Sequence, residues 1–128
     1  MTQNSSKPSF FVLEQDPFVR EDIEQILASS FPGRPIMALR DFEELGNLSD
    51  RAQSAVVAVV SANAASLDAM RTAARGLTER IGLVIVSEVQ HVADDIELAC
   101  HVVSRPFKSE TILNAVRIVL SRLPQDLP

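Results

Sequence analysis

Short unbroken apolar runs alternate along this chain with stretches in which apolar residues recur every three or four positions. Phe10 to Leu13, Ala55 to Val60 and Leu83 to Val86 are runs of the first kind. A continuous run without polar alternation is what a strand covered on both faces requires, as in parallel sheets. Ile36 to Leu39 and the pair Val102-Val103 are shorter runs of the same sort. Val19, Ile23, Ile26 and Leu27 follow the first run at helical spacing, whereas Arg40 to Ser49 can hold only a brief helix with Phe42 and Leu45 on one side. Leu67, Met70, Ala74 and Leu77 form the next helical stripe, and Val92, Ile96 and Ala99 predict a shorter helix over Val89 to Ala99. Ile112, Leu113, Val116, Leu120 and Leu123 make the last buried face. Five strands and five helices in strict alternation predict an α/β fold, a doubly wound parallel sheet with right-handed crossovers.

Punctuating residues mark the element ends. Asp16 suits an N-cap and Pro17 the first helical position, where its missing N–H costs nothing. Pro32-Gly33 and Pro35 break the first helical pattern, and Gly82 marks a turn into the fourth strand. Ser109 is expected to cap the last helix, Glu110 favours its positive end, and Pro124 stops it. The chain thus divides into a flexible lead at 1–9, one domain at 10–123 and a tail at 124–128. Its 128 residues suffice for a single domain with a substantial core.

Charge and composition then remove several functions. Twelve Lys and Arg against 17 Asp and Glu give a net charge of −5, which argues against binding nucleic acid or an anionic membrane. No run approaches the ~18 apolar residues that span a bilayer, and the polar N-terminus is not a signal sequence. Cys100 is the single cysteine, so no intramolecular disulfide calls for an oxidising compartment, and a cytoplasmic location is expected. Cys100 itself reads as a small buried residue. His91, at an expected helix start, and His101, just before a strand, are too scattered to make a metal cluster with it. Neither histidine lies on the long helical stripe of a phosphotransfer bundle. The four glycines lack the spacing of a nucleotide-binding loop.

In doubly wound sheets the chemistry collects beyond the carboxyl ends of the strands, at the point where strand order reverses. The residues there are Glu14, Gln15 and Asp16 after the first run, and Val60, Ser61, Ala62 and Asn63 after the third. Ser87 and Glu88 follow the fourth; Ser104, Arg105, Pro106 and Phe107 follow the fifth. In order and spacing these resemble the receiver domain of two-component response regulators, over about residues 10–123. The resemblance implies a flavodoxin-like topology with strand order 2-1-3-4-5.

Receivers carry an acidic pair after the first strand, a phosphorylated Asp after the third, Ser or Thr after the fourth, and Lys-Pro, often with Phe, after the fifth. Here Gln15-Asp16 matches the acidic pair with one acid lost, Ser87 matches the hydroxyl, and Arg105-Pro106-Phe107 matches the last element with its lysine replaced. The resemblance also implies a cis peptide bond before Pro106. Counting forward from Asp16 puts the phosphoacceptor near Val59 or Val60, and neither can accept a phosphoryl group. Asp68, the nearest carboxylate downstream, falls on a helix as a solvated charge. Ser61 has nothing around it to suggest phosphorylation.

An acyl phosphate needs a carboxylate nucleophile beside Mg²⁺, which is itself held through carboxylates and water. The degenerate pocket, with Asp16 the one vestigial ligand, implies a pseudo-receiver with no cofactor, at most a vestigial Mg²⁺ site, and no enzymatic activity. The Arg105 guanidinium suits bidentate pairing with a carboxylate, so it is expected to reach toward Asp16 or Glu14 and fill the site. The interval from Ser87 to Arg105 is about a helical turn shorter than in receivers, whose fourth helix, fifth strand and fifth helix form a dimer and partner face. Three functions stay open. The chain is a phosphorylation-independent module that meets a histidine kinase, an effector domain or a second copy; an Mg²⁺-dependent receiver with a displaced acceptor; or a small-molecule binder using the emptied pocket.

Overall fold

A computed structural model of the chain describes residues 9–50, 55–89 and 91–124. The apolar runs form β1 (Ser9–Leu13), β2 (Ile36–Ala38), β3 (Val56–Ser61), β4 (Ile81–Val86) and β5 (Cys100–Val103). All are parallel, in the order β2-β1-β3-β4-β5 that the resemblance implies. The helices are α1 (Pro17–Ser30), α2 (Phe42–Gly46), α3 (Leu67–Arg75) and α4 (Ser109–Arg122), with 3₁₀ turns at Leu48–Asp50 and Ala64–Ser66.

The unbroken strand runs are explained by cover on both faces. Phe10, Val12, Val57, Val59, Val84, Val86 and Val103 pack with Ile23, Ile26 and Leu27 of α1 and Ile112, Ala115, Val116 and Val119 of α4. Their neighbours Phe11, Leu13, Ala58, Val60, Leu83 and Ile85 pack with Leu45 of α2, with Met70, Ala73 and Ala74 of α3, and with Val92. Each fully buried Val, Leu or Ile contributes about 1.5–3 kcal/mol, so both layers are needed. At the start of α1 the Asp16 carboxylate accepts the N–H groups of Phe18 (2.9 Å) and Val19 (3.4 Å), and Pro17 occupies the first turn.

Several expectations change among the described residues. Among the described residues there are four helices, not five: within the segment expected to be helical from Val89 to Ala99, residues 91–95 form turns and 96–99 are irregular, with Asp94 N–H to His91 C=O (3.2 Å) and Ile96 N–H to Ala93 C=O (3.0 Å). His91 is therefore in no helix; its φ of 59° is left-handed and interrupts right-handed winding. Val92 is buried and Ile96 partly so, which shows that their spacing serves packing rather than a helix. Gly82 lies inside β4, where an added Cβ would collide with Val119 Cγ1 and come within 3.3 Å of Leu123 Cδ2; it is the close approach of α4, not a turn, that requires glycine there.

Lys108, not Ser109, is the N-cap of α4, and no side chain bonds the helix start. His101 and Cys100 belong to β5, and Cys100 is only partly buried. Ser9, placed in the lead, is the first residue of β1; the rest of that lead, and 125–128 of the tail, lie outside the described residues. Among the described residues no helix is long and apolar enough to cross a membrane.

Candidate functional site

β1 and β3 are sheet neighbours, yet β1 continues through α1 to β2 on its other side, and a crevice opens above their carboxyl ends. Glu14 is the first residue beyond β1 and its side chain is only 6% exposed. A carboxylate this buried needs donors, and it has three. The Ser61 hydroxyl, at the end of β3, donates to Oε1 at 2.5 Å; Arg105 Nη2, beyond β5, donates to the same oxygen at 2.9 Å. The backbone N–H of Asp16 donates to Oε2 at 2.9 Å. One carboxylate thus ties together the ends of three strands. The Arg105 side chain is 36% exposed, so the pair sits at the mouth of the crevice rather than deep in the core. The peptide bond from Arg105 to Pro106 is cis.

This geometry relocates several sequence-level expectations. Of the two carboxylates offered to Arg105, Glu14 is the partner; Asp16 is exposed and its carboxylate is turned back onto the start of α1. Val59 and Val60 are fully buried, one in each core layer, so neither belongs to the site. The strand runs one residue further than the count assumed, and Ser61 holds its end. Gln15 is exposed and lines the crevice. Ser87 is buried with its hydroxyl accepting the Val89 N–H at 3.1 Å; neither it nor Pro106 lines the crevice.

The crevice encloses about 640 Å³; Asn63 and Glu88, read in the sequence as strand-end residues, contribute to its walls, as do Phe42 and Ser66, which the strand-end reading does not reach. Asn63 and Ser66 brace the loop after β3 reciprocally: Ser66 N–H donates to Asn63 Oδ1 (3.0 Å) and Asn63 N–H to Ser66 Oγ (2.9 Å). The signal was available as Asn-x-x-Ser ahead of an apolar helix, a relative of the capping box. Among the described residues no group of three or more His, Cys, Asp or Glu is arranged to hold a metal.

The sheet order, the crevice at the β1–β3 reversal and the cis proline after β5 define the fold of the CheY-like receiver domains. A CheY-like protein, tadZ, from Pseudomonas aeruginosa PAO1 is similar at 16% identity and a TM-score of 0.68, with 88% of this chain and 99% of that one covered. A CheY-like response regulator receiver domain protein from Methanospirillum hungatei JF-1 is similar at 14% identity and a TM-score of 0.63, covering 90% and 94%. The lysine decarboxylase LdcF of Francisella novicida carries the same fold over 17% of its length, at 15% identity and a TM-score of 0.62. At such identities the likeness is one of fold, and the fold alone does not set the chemistry. No protein-family model matches the chain, and no curated protein does.

Proposed function

We propose that this chain is a receiver-like signalling module that takes no phosphoryl group, has no enzymatic activity and acts through contacts with other proteins. The observation that carries the reading is the Glu14 carboxylate, whose oxygens are already engaged by a guanidinium, a hydroxyl and a backbone N–H. Mg²⁺ favours carboxylate and water ligands in a near-ideal octahedron. The residues present do not fit it: a fixed positive charge lies 2.9 Å from the Glu14 oxygen, Asp16 is spent on capping α1, and β3 ends in a hydroxyl. An acyl phosphate would need a carboxylate where Ser61 stands.

A displaced acceptor gains no support from Asp68, which is on the side of α3 that faces α2, outside the crevice. In this reading the module is cytoplasmic and meets a histidine kinase, an effector domain or a second copy through β5, α4 and the segment 91–99, a surface altered by the missing helix. Incubation with acetyl phosphate and Mg²⁺ followed by intact mass measurement tests it. The mass is expected to stay unchanged; an acid-labile phosphoryl adduct on one aspartate overturns the reading.

A further inference from the structure

A second cavity, similar in size to the crevice at Glu14, lies at the opposite end of the sheet. It encloses about 680 Å³ and opens beside the amino ends of β4 and β5, between the second half of α3 and the segment 95–99. Three arginines line it: Arg71 and Arg75 from α3 and Arg122 from the last turn of α4. Among the described residues, no carboxylate is in ion-pair range of any of the three.

Two of these arginines are aimed by the backbone. Arg71 Nη2 donates to the His91 carbonyl at 3.2 Å, and Arg122 Nη1 donates to the Cys100 carbonyl at 3.1 Å. Their remaining N–H groups have no partner among the described residues, and Arg71 Nε is buried in that state. Arg75 and Arg122 lie in last helical turns, where a positive charge offsets the helix dipole. Arg71 has no such role, and at i, i+4 from Arg75 it places like charges on one helix face, which is unfavourable on its own. With no acid in ion-pair range among the described residues, the Arg71 and Arg75 guanidinium groups are available to an anion from outside.

The rest of the lining limits that anion. Leu77, Ile96 and Leu98 supply apolar wall, and three carboxylates, Glu79, Asp95 and Glu97, balance the arginines and offer hydrogen-bond acceptors. The volume falls in the range of small-molecule sites, but six of the twelve lining residues are charged, so its ligand must be largely polar. We propose that this cleft binds a small organic phosphate whose other part is flat or apolar and carries hydroxyl or amino donors, the chemistry of a nucleoside monophosphate. The phosphate would meet the arginines, since guanidinium groups pair with it bidentately. The donors would meet Asp95 and Glu97.

The experiment is a titration of the ¹⁵N-labelled chain with AMP, with adenosine and inorganic phosphate as separate arms, followed by amide shifts. Expected are saturable shifts at Arg71 to Leu77 and Asp95 to Cys100 with AMP, and at least tenfold weaker binding of adenosine and of phosphate. Arg75→Gln, which removes no hydrogen bond among the described residues, is expected to weaken AMP binding about tenfold while leaving the spectrum otherwise folded. Arg71→Gln serves as a second variant, read only with a melting curve, because its tie to His91 is structural. No shift up to about 10 mM AMP, equal affinity for phosphate and AMP, or shifts confined to Glu14, Ser61 and Arg105 overturn the proposal. The site is independent of the proposal for Glu14, so either can fail alone.

Discussion

The two ends of the sheet treat charge in opposite ways. At the carboxyl end, Glu14 and Arg105 close on each other, and Ser61 and the Asp16 N–H complete the set. At the amino end, Arg71, Arg75 and Arg122 face a cleft with no carboxylate partner within ion-pair range among the described residues. A receiver keeps charge available at its carboxyl end, because a metal and a phosphoryl group must come and go there. Here that availability is found at the other end. The closed end is held by interactions that stabilise the fold, whereas at the open end Arg75 has no hydrogen bond among the described residues and should be nearly neutral to mutation.

That contrast can be broken by stability measurements. Arg105→Ala leaves a buried carboxylate with two neutral donors only, and urea denaturation is expected to show a loss of about 2–3 kcal/mol, reduced from the fully buried case because Arg105 is partly exposed. Ser61→Ala removes one hydrogen bond and should cost about 0.5–1.5 kcal/mol by the same assay. Arg75→Gln should change stability by no more than about 0.5 kcal/mol, with relief of the Arg71 repulsion working in its favour. If Arg75→Gln proved as costly as Arg105→Ala, the two ends would not differ as described.

The smallest effect is at the amino end as well. Burial pushes the Cys100 thiol above its ordinary value of 9.0, with the Arg122 charge pulling the other way. The unfolded chain therefore ionises first as pH rises, so it binds fewer protons than the native state above that value. Stability should be unaffected below pH 9.0 and fall as pH climbs from there toward the raised native value. At pH 8 the thiol should also alkylate more slowly with iodoacetamide than in the urea-unfolded chain, and equal rates would contradict the burial.

The strands were legible because a parallel sheet covered on both faces leaves no polar positions inside them, as Val56 to Val60 illustrates. The segment 91–99 shows helical spacing without a helix for a related reason: Val92 and Ile96 bury at that spacing while the backbone around His91 does not wind. Gly82 misled because glycine at a close helix–strand contact looks in sequence like glycine at a turn. The site was legible in kind but shifted in register. The sequence offers Arg105 either Asp16 or Glu14; Glu14 is the partner, because Asp16 is drawn away by the N-terminus of α1. The apolar run ends at Val60 whereas β3 extends through Ser61, because a polar Ser61 reads as loop. The arginine cleft could not be read at all, since α3, the segment 95–99 and the end of α4 are far apart in sequence.

The closed carboxyl end is tested most directly by adding Mg²⁺ with beryllofluoride to the ¹⁵N-labelled chain and following the amides of Glu14 to Asp16, Ser61 to Asn63, and Ser104 and Arg105. The account predicts no saturable shift at these positions up to about 10 mM Mg²⁺. Saturation there at submillimolar Mg²⁺, with the Glu14–Arg105 pair opening to admit the ion, would contradict it.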